Sequence, residues 1–336
     1  MPVLQLPLNT INNQELQNVI TPSLHSNLLP LACLYSDNEL SLSTTEKPKN
    51  TIELIVLGDI SITCLHTIIS QCQLTSPVLT TINYRNKLYS YRFSVECKDL
   101  ESARHALANL ILEVKFEAAI IEDAPQLSRP GLLVMDMDST TIKIECIDEI
   151  ARLAGVGDQV AAVTELAMQG KLDFSKSLYQ RVATLANAPE SILSNVAKDI
   201  PLMEGLETLI TTLKQHNWHI AIASGGFTYF AEHLQQMLAF DDVRANVLEI
   251  SNGILTGKVL GDVVDAQAKA DCLVELQQKY QLTHAQTVAM GDGANDLVMM
   301  NAAHLGVAFH AKPIVLKQAD CAINSHGLDY LLHWLK

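Results

Sequence analysis

From Thr51 onward the hydrophobic positions fall into short, regular patterns. Ile52 to Leu57 is a continuous apolar run with one acid, and it predicts a strand. Ile60 to Cys72 spaces Ile and Leu at helical intervals. Val78 to Tyr84 and Leu88 to Glu96 alternate as two strands around Arg85-Asn86-Lys87. Leu100 to Glu113 predicts an amphipathic helix capped by Asp99, and Phe116 to Ile121 a last short strand. The expected order is βαββαβ. Ahead of it, residues 1–50 are rich in Asn, Thr, Ser and Leu; Ser43 to Asn50 reads as a linker, and no role is assigned to the segment. Pro125 and Pro130 mark a second linker.

Beyond it the pattern changes. Gly131-Leu132-Leu133-Val134-Met135 is apolar on both faces, as in a parallel sheet, and ends abruptly in Asp136-Met137-Asp138-Ser139-Thr140. Helical periodicity then holds over Ile147 to Leu153, Val160 to Met168, Phe174 to Leu185 and Ser191 to Val196. After Met203, βα alternation resumes: helix Leu206 to Gln215, strand His219 to Ser224, helix Thr228 to Leu238. Val247 to Ile250 and Ile254 to Val259 flank Asn252-Gly253, a strong hairpin signal. Helix Lys269 to Tyr280, strand Thr287 to Met290, helix Asn295 to Ala302 and strand Leu305 to Ala308 complete the series. Repeated βα units predict an α/β fold with a doubly wound parallel sheet, interrupted after its first strand by a helical insert. The active site of such a sheet is expected at the carboxyl ends of its strands.

Composition narrows the picture. With 336 residues, 48% of them hydrophobic, the chain accommodates two domains and an insert. A formal charge of -14 argues against nucleic acid as a partner. The seven scattered cysteines form no CxxC pair and suggest reduced thiols in a cytoplasmic protein. Neither a signal peptide nor an apolar stretch of about 18 residues is visible, so no membrane association is expected.

Four polar clusters follow predicted strands. Alternation along an extended backbone points Asp136 and Asp138 the same way and Met137 the opposite way, so a bridging cation or a shared proton is needed. A solvated Asp-rich turn is the competing reading of that pair alone. Ser224-Gly225-Gly226 could bring backbone amides to an anion at a helix start, or be an ordinary strand-to-helix turn. Lys269, expected to open a helix, is either a charge-neutralising group or a solvent-exposed lysine. Gly291-Asp292-Gly293-Ala294-Asn295-Asp296 returns two acids to the same edge. Together they supply oxygen ligands for Mg2+, an anion cradle and a cation, which suits phosphoryl transfer.

In that order, DMDST, SGG, the later lysine and GDGAND resemble the four motifs of the haloacid dehalogenase superfamily of phosphatases, over Gly131 to the C-terminus. The stretch Asp136 to Arg152 is similar to the branch that hydrolyses O-phospho-L-serine, well beyond the general motif. The resemblance implies a Rossmann-like haloacid dehalogenase fold with a helical cap at about 143–200, in a phosphatase domain spanning 124–336. It implies Mg2+-dependent hydrolysis through an aspartyl-phosphate, as the last step of L-serine biosynthesis. Asp136 would be the nucleophile and Asp138 the proton donor and acceptor. The metal would be held by Asp136, Asp138 through its carbonyl, and Asp292. Ser224, Gly225, Lys269 and Asn295 would contact phosphate, and Asp296 and Ser139 would support them. In the cap, Glu145 would meet the substrate amine and Arg181 its carboxylate, with Met168 and Phe174 shielding the site. Without the resemblance, Glu145 and Arg181 read as solvated helix residues, and Met168 and Phe174 as core.

Residues 51–123 resemble an ACT-like α+β module in element order alone, for which amino-acid sensing and ligand-free docking both fit. If the chain forms a homodimer, this module is the expected contact. Two other readings stay open: phosphotransfer to an acceptor such as homoserine with the same nucleophile, and a protein that is chiefly an amino-acid sensor.

Overall fold

A computed structural model describes the chain except residues 1, 12, 22–27, 36–38 and 169–170; the side chains of residues 2, 3, 9, 10 and 168 are also left undescribed. The chain forms two compact units, Met1–Leu127 with His310–Lys336, and Ser128–Phe309.

The first unit opens with β1 (Pro2–Pro7), the short helices α1 (Leu8–Ile11) and α2 (Leu16–Val19), β2 (Leu31–Tyr35) and β3 (Glu39–Thr44). The expected module follows as β4 (Ile52–Leu57), α3 (Ile62–Gln71), β5 (Thr75–Arg85), β6 (Leu88–Glu96), α4 (Leu100–Glu113) and β7 (Ala118–Glu122). The strands run β1-β3-β2-β5-β6-β4-β7, with every recorded pair antiparallel. Residues 1–50 are therefore not a bare extension: β2 pairs with β5 and lengthens the sheet of the ACT-like module. Ser61 and Asp99 cap α3 and α4, accepting from Cys64 N and Ser102 N at 3.1 Å each. The apolar stripes Ile62, Leu65, Ile68 of α3 and Ala103, Leu107, Leu110 of α4 are buried in one core with Leu54, Val56 and Phe93. Each large apolar side chain sealed there contributes roughly 1.5–3 kcal/mol.

In the second unit, β8 (Leu132–Met135) leads into the helices α5 (Cys146–Leu153), α6 (Gly157–Met168), α7 (Phe174–Thr184) and α8 (Ser191–Ala197). Then come α9 (Leu206–Gln215), β9 (His219–Phe227), α10 (Thr228–Leu238), β10 (Asp242–Ser251), β11 (Ile254–Leu260), α11 (Ala266–Lys279), β12 (Thr287–Gly291), α12 (Leu297–Ala302) and β13 (Leu305–Phe309). The strands run β11-β10-β9-β8-β12-β13. All pairs from β10 to β13 are parallel, and β11 joins β10 antiparallel. Asn252 and Gly253 turn that hairpin with φ of 51° and 76°, the left-handed pair that an Asn-Gly turn supplies at low cost. All four residues of β8 are buried, which is why the run carries no polar alternation. Strand order reverses at β8, whose neighbours are β9 and β12, so the crevice at its carboxyl end is where a ligand belongs.

The chain ends with α13 (Pro313–Leu316), β14 (Cys321–Ile323) and α14 (Leu331–Trp334). These residues, expected with the phosphatase domain, group with the first unit. Buried charge holds them there. Arg92, paired with Glu53 at 2.6 Å, donates to the carbonyls of His333 (3.2 Å) and Trp334 (2.8 Å). Glu117 accepts from Asn324 N at 2.8 Å and Ser325 N at 2.7 Å. All seven cysteines are free thiols. Among the described residues, no helix is long and apolar enough to cross a membrane.

His333 makes this unit acid-sensitive. It is fully buried beside Ser90 Oγ at 3.0 Å, and burial with the charges of Arg85 and Arg92 pushes its imidazole down to about 4. The unfolded chain takes the proton near pH 6.5 and the folded chain does not, so stability present above that pH is lost as pH falls toward 4. The full loss approaches about 3 kcal/mol. In urea titrations across that window, wild type should lose more stability than His333→Gln; parallel curves would remove the assignment.

Candidate active site

Asp136 follows the last residue of β8, with its N–H on the Met290 carbonyl of β12 at 2.9 Å. Beyond it the chain leaves the sheet in a tight loop: the N–H groups of Thr140, Thr141 and Ile142 all donate to Met137 O. The alternation that would point Met137 away from the two acids therefore does not carry past Met135. Met137 Cε and Asp138 Oδ2 both approach the place where a Cβ on Gly226 would sit, at 2.7 and 2.9 Å. Thr141 Oγ1 donates to Asp136 O at 2.6 Å and fixes the loop. Ser139 takes the left-handed region, φ 59°, and donates from Oγ to Glu145 Oε1 at 2.8 Å.

Lys269 does not open a helix. α11 begins at Ala266, capped by Asp265, and places Lys269 one turn in, facing inward and 1% exposed. Its Nζ donates to Asp136 Oδ1 and to Asp296 Oδ1, both at 2.7 Å. The solvent-exposed reading of this lysine is thereby excluded. Asp296 lies in a 3-10 turn, Ala294–Asp296, and its other oxygen accepts Gly293 N at 2.9 Å. Asp292, after β12, accepts from Thr140 Oγ1 at 3.3 Å, and Asn295, next to Asp296 in the chain, is half-buried.

Ser224-Gly225-Gly226 also departs from expectation: it forms the end of β9, which continues to Phe227, and not a turn. Asn246 on β10 explains this. Fully buried, it donates to Gly225 O at 2.8 Å and accepts Val264 N at 2.8 Å, holding the glycine stretch extended. Ser224 Oγ accepts Gly226 N at 2.9 Å. Gly225 lets the Phe174 ring pack directly on the strand, since a Cβ there would lie 2.6 Å from Phe174 Cζ and push the ring away. Sequence reasoning passed over Asn246 and Thr141; Asn246 follows Arg244-Ala245, just ahead of the predicted strand Val247 to Ile250, and nothing local marks it as buried.

Four carboxylates, Asp136, Asp138, Asp292 and Asp296, thus surround one lysine. Burial and the charge of Asp296 lift the Asp136 carboxyl well above the usual range, with Lys269 pulling it back. Partial burial and the charge of Glu145 push Asp138 up to about 7, against the hydrogen bond from Cys146 N at 3.3 Å. Burial alone would lower Lys269, yet Asp136 and Asp296 outweigh it and raise the ammonium above its ordinary value. Carboxylate oxygens of Asp136, Asp292 and Asp296 lie within 4.8 Å of one another. That oxygen-only, net-negative set fits a hard divalent cation. Because both oxygens of Asp296 already hold hydrogen bonds, Asp136 and Asp292 are its better ligands.

From the helical insert, Glu145 caps α5 without a capping hydrogen bond and is exposed; Phe174 and Arg181 lie on α7. Burial lowers the Arg181 guanidinium, opposed by the charges of Asp148, Glu145 and Asp138. Met168 ends α6, and its side chain falls outside the described residues.

Residues 131–304 match the family model of haloacid dehalogenase-like hydrolases. The chain is 55% identical over 238 residues to a phosphoserine phosphatase of Vibrio cholerae, covering 70% of this chain and 72% of that one. Among solved structures, the unliganded probable phosphoserine phosphatase from Vibrio cholerae superposes with a TM-score of 0.71 at 45% identity, over 84% of this chain and 86% of that one. A phospho-aspartyl intermediate analogue of phosphoserine phosphatase gives 0.59 at 39% identity, over 62% of this chain and all, 100%, of that one. The chain belongs to the haloacid dehalogenase-like hydrolases.

Proposed function

We propose that this chain is a phosphoserine phosphatase, hydrolysing O-phospho-L-serine to L-serine and phosphate through an aspartyl-phosphate, the last step of L-serine biosynthesis. The observation that carries the chemistry is Lys269, buried and 2.7 Å from both Asp136 and Asp296 at the carboxyl edge of the sheet. Such a lysine opposes the burial and the Asp296 charge that would otherwise neutralise the attacking carboxylate.

Asp136 attacks phosphorus as the bond to the serine oxygen breaks, splitting one hard displacement into two. Asp138, its carboxyl raised by burial and the charge of Glu145, gives its proton to the departing oxygen, then takes one from the water that cleaves the aspartyl-phosphate and frees phosphate. Ser224, the Gly225 backbone, Lys269 and Asn295 bind the phosphoryl oxygens, and Lys269 offsets their charge. Mg2+ would be held by Asp136, Asp292 and the Asp138 carbonyl, and when bound it supplies positive charge to the phosphoryl oxygens. Glu145 takes the substrate amine and Arg181 its carboxylate, for which the guanidinium fork is suited. Phe174, packed on Gly225, limits water entry.

The test is phosphate release from O-phospho-L-serine against a panel of other small phosphomonoesters. A preference of at least about a hundredfold is expected, lost on chelation and restored by Mg2+. Equal turnover across the panel, or turnover without a divalent ion, would refute the reading. Added homoserine should yield no phosphohomoserine, which separates hydrolysis from transfer.

A further inference from the structure

The α7 face that carries Phe174 and Arg181 carries a second polar group with no assigned task. Ser177 is 2% exposed, and its Oγ has no hydrogen-bond partner. A serine inside a helix ordinarily satisfies itself on the carbonyl one turn back. Here the Asp173 carbonyl receives the Ser177 N–H at 3.0 Å, and the hydroxyl receives nothing. Buried hydroxyls left unpaired are rare, because each forfeits its hydration without return. One turn further on, Arg181 Nε is buried and unpartnered as well.

The two orphans belong together. Ser177 lies between Phe174 and Arg181 along the helix and within about 60° of each around its axis. Phe174 fixes the direction of that face, because its ring packs on Gly225 at the phosphate end of the site. Arg181 confirms it, since the charges acting on its guanidinium are Asp148, Glu145 and Asp138. An N–H and an O–H, both donors and both unsatisfied, call for one acceptor between them. A carboxylate is that acceptor, offering several lone pairs in one plane. Leu178 and Val182, on the other flank of the helix, are buried and apolar and provide none.

We infer that Ser177 is a substrate-positioning residue whose hydroxyl donates to the substrate carboxylate beside Arg181. The inference rests on the function proposed above and deepens it. An acid presented to Arg181 alone could pivot about the guanidinium; a second donor one turn earlier on the same rigid helix fixes its plane. Ser177 holds the end of the substrate that does not react, so its contribution is the same in ground and transition states and belongs to KM.

Ser177→Ala tests this in the full-length enzyme. KM for O-phospho-L-serine should rise about tenfold, the worth of a hydrogen bond to a charged group, with kcat within about twofold. The Ki of inorganic phosphate as a product inhibitor should not change, because phosphate lacks the carboxylate. The melting temperature should stay level or rise, since the variant removes a buried hydroxyl that nothing satisfies. An unchanged KM would overturn the inference. So would a parallel loss of phosphate affinity and melting temperature, which would mark Ser177 as a packing residue. If the wild-type enzyme itself leaves phosphoserine intact, the functional reading has failed first, and that control tells the two failures apart.

Discussion

Asp136→Asn should lose phosphoserine hydrolysis by at least about four orders of magnitude, the scale seen when a covalent nucleophile is removed. The substitution keeps the shape of the side chain and its place after β8, so far-ultraviolet circular dichroism should match wild type. It should also melt no lower. In the absence of metal the Asp136 carboxylate is buried beside Asp296, and burial lifts its pKa well above the usual range. An amide removes one of four crowded acids while Lys269 keeps Asp296 as its partner at 2.7 Å. Activity and stability thus move in opposite senses, as expected where a site holds strain for function. Turnover persisting within about a hundredfold of wild type would end the assignment of Asp136 as nucleophile.

Lys269→Met should be the most destabilising single change in the site. The lysine is the partner of two buried carboxylates, and removing one member of a buried ionic cluster costs about 3–5 kcal/mol because charge is left uncompensated. For a chain of this size that is a fall in melting temperature of about 4–7 °C. A divalent cation neutralises the same acids, so the deficit measured in chelator should shrink in excess Mg2+. Turnover should fall about a thousandfold even when the ion is supplied, because the developing phosphoryl charge loses its fixed donor. A variant that melts with wild type in chelator would show that the two ion pairs are not formed in solution.

These expectations differ in how far the chain announces them. The approach to Asp136 was legible: five apolar or glycine positions before DMDST mark a buried strand, and the three later clusters turn its acids from a solvated turn into a site. The Asn252-Gly253 hairpin was equally plain, since left-handed backbone at both residues is a local demand. The inward face of Lys269 was not, because a lysine one turn inside α11 looks alike in sequence whether it meets solvent or two carboxylates. Nor was the extended run of Ser224 to Gly226, which depends on Asn246 from the neighbouring strand.

The ends of the chain were harder still. Residues 1–50 show no element pattern in the sequence because their strands are short and irregularly spaced, and β1 to β3 become a sheet only by pairing with one another and with β5. The grouping of His310–Lys336 with the first unit turns on Arg92 and Glu117, single charges whose partners lie far along the chain.

By itself the sequence determined what depends on near neighbours: the type of nearly every element between Ile52 and Phe309, the hairpin, the order of the four motifs and the chemistry of their side chains. Only the tertiary structure decided which of those side chains share a volume. Periodicity records whether a residue faces away from water, and it is blind to what it faces. Ser177 shows the difference most clearly, a small hydroxyl indistinguishable in the chain from helix filler, made informative by burial without a partner.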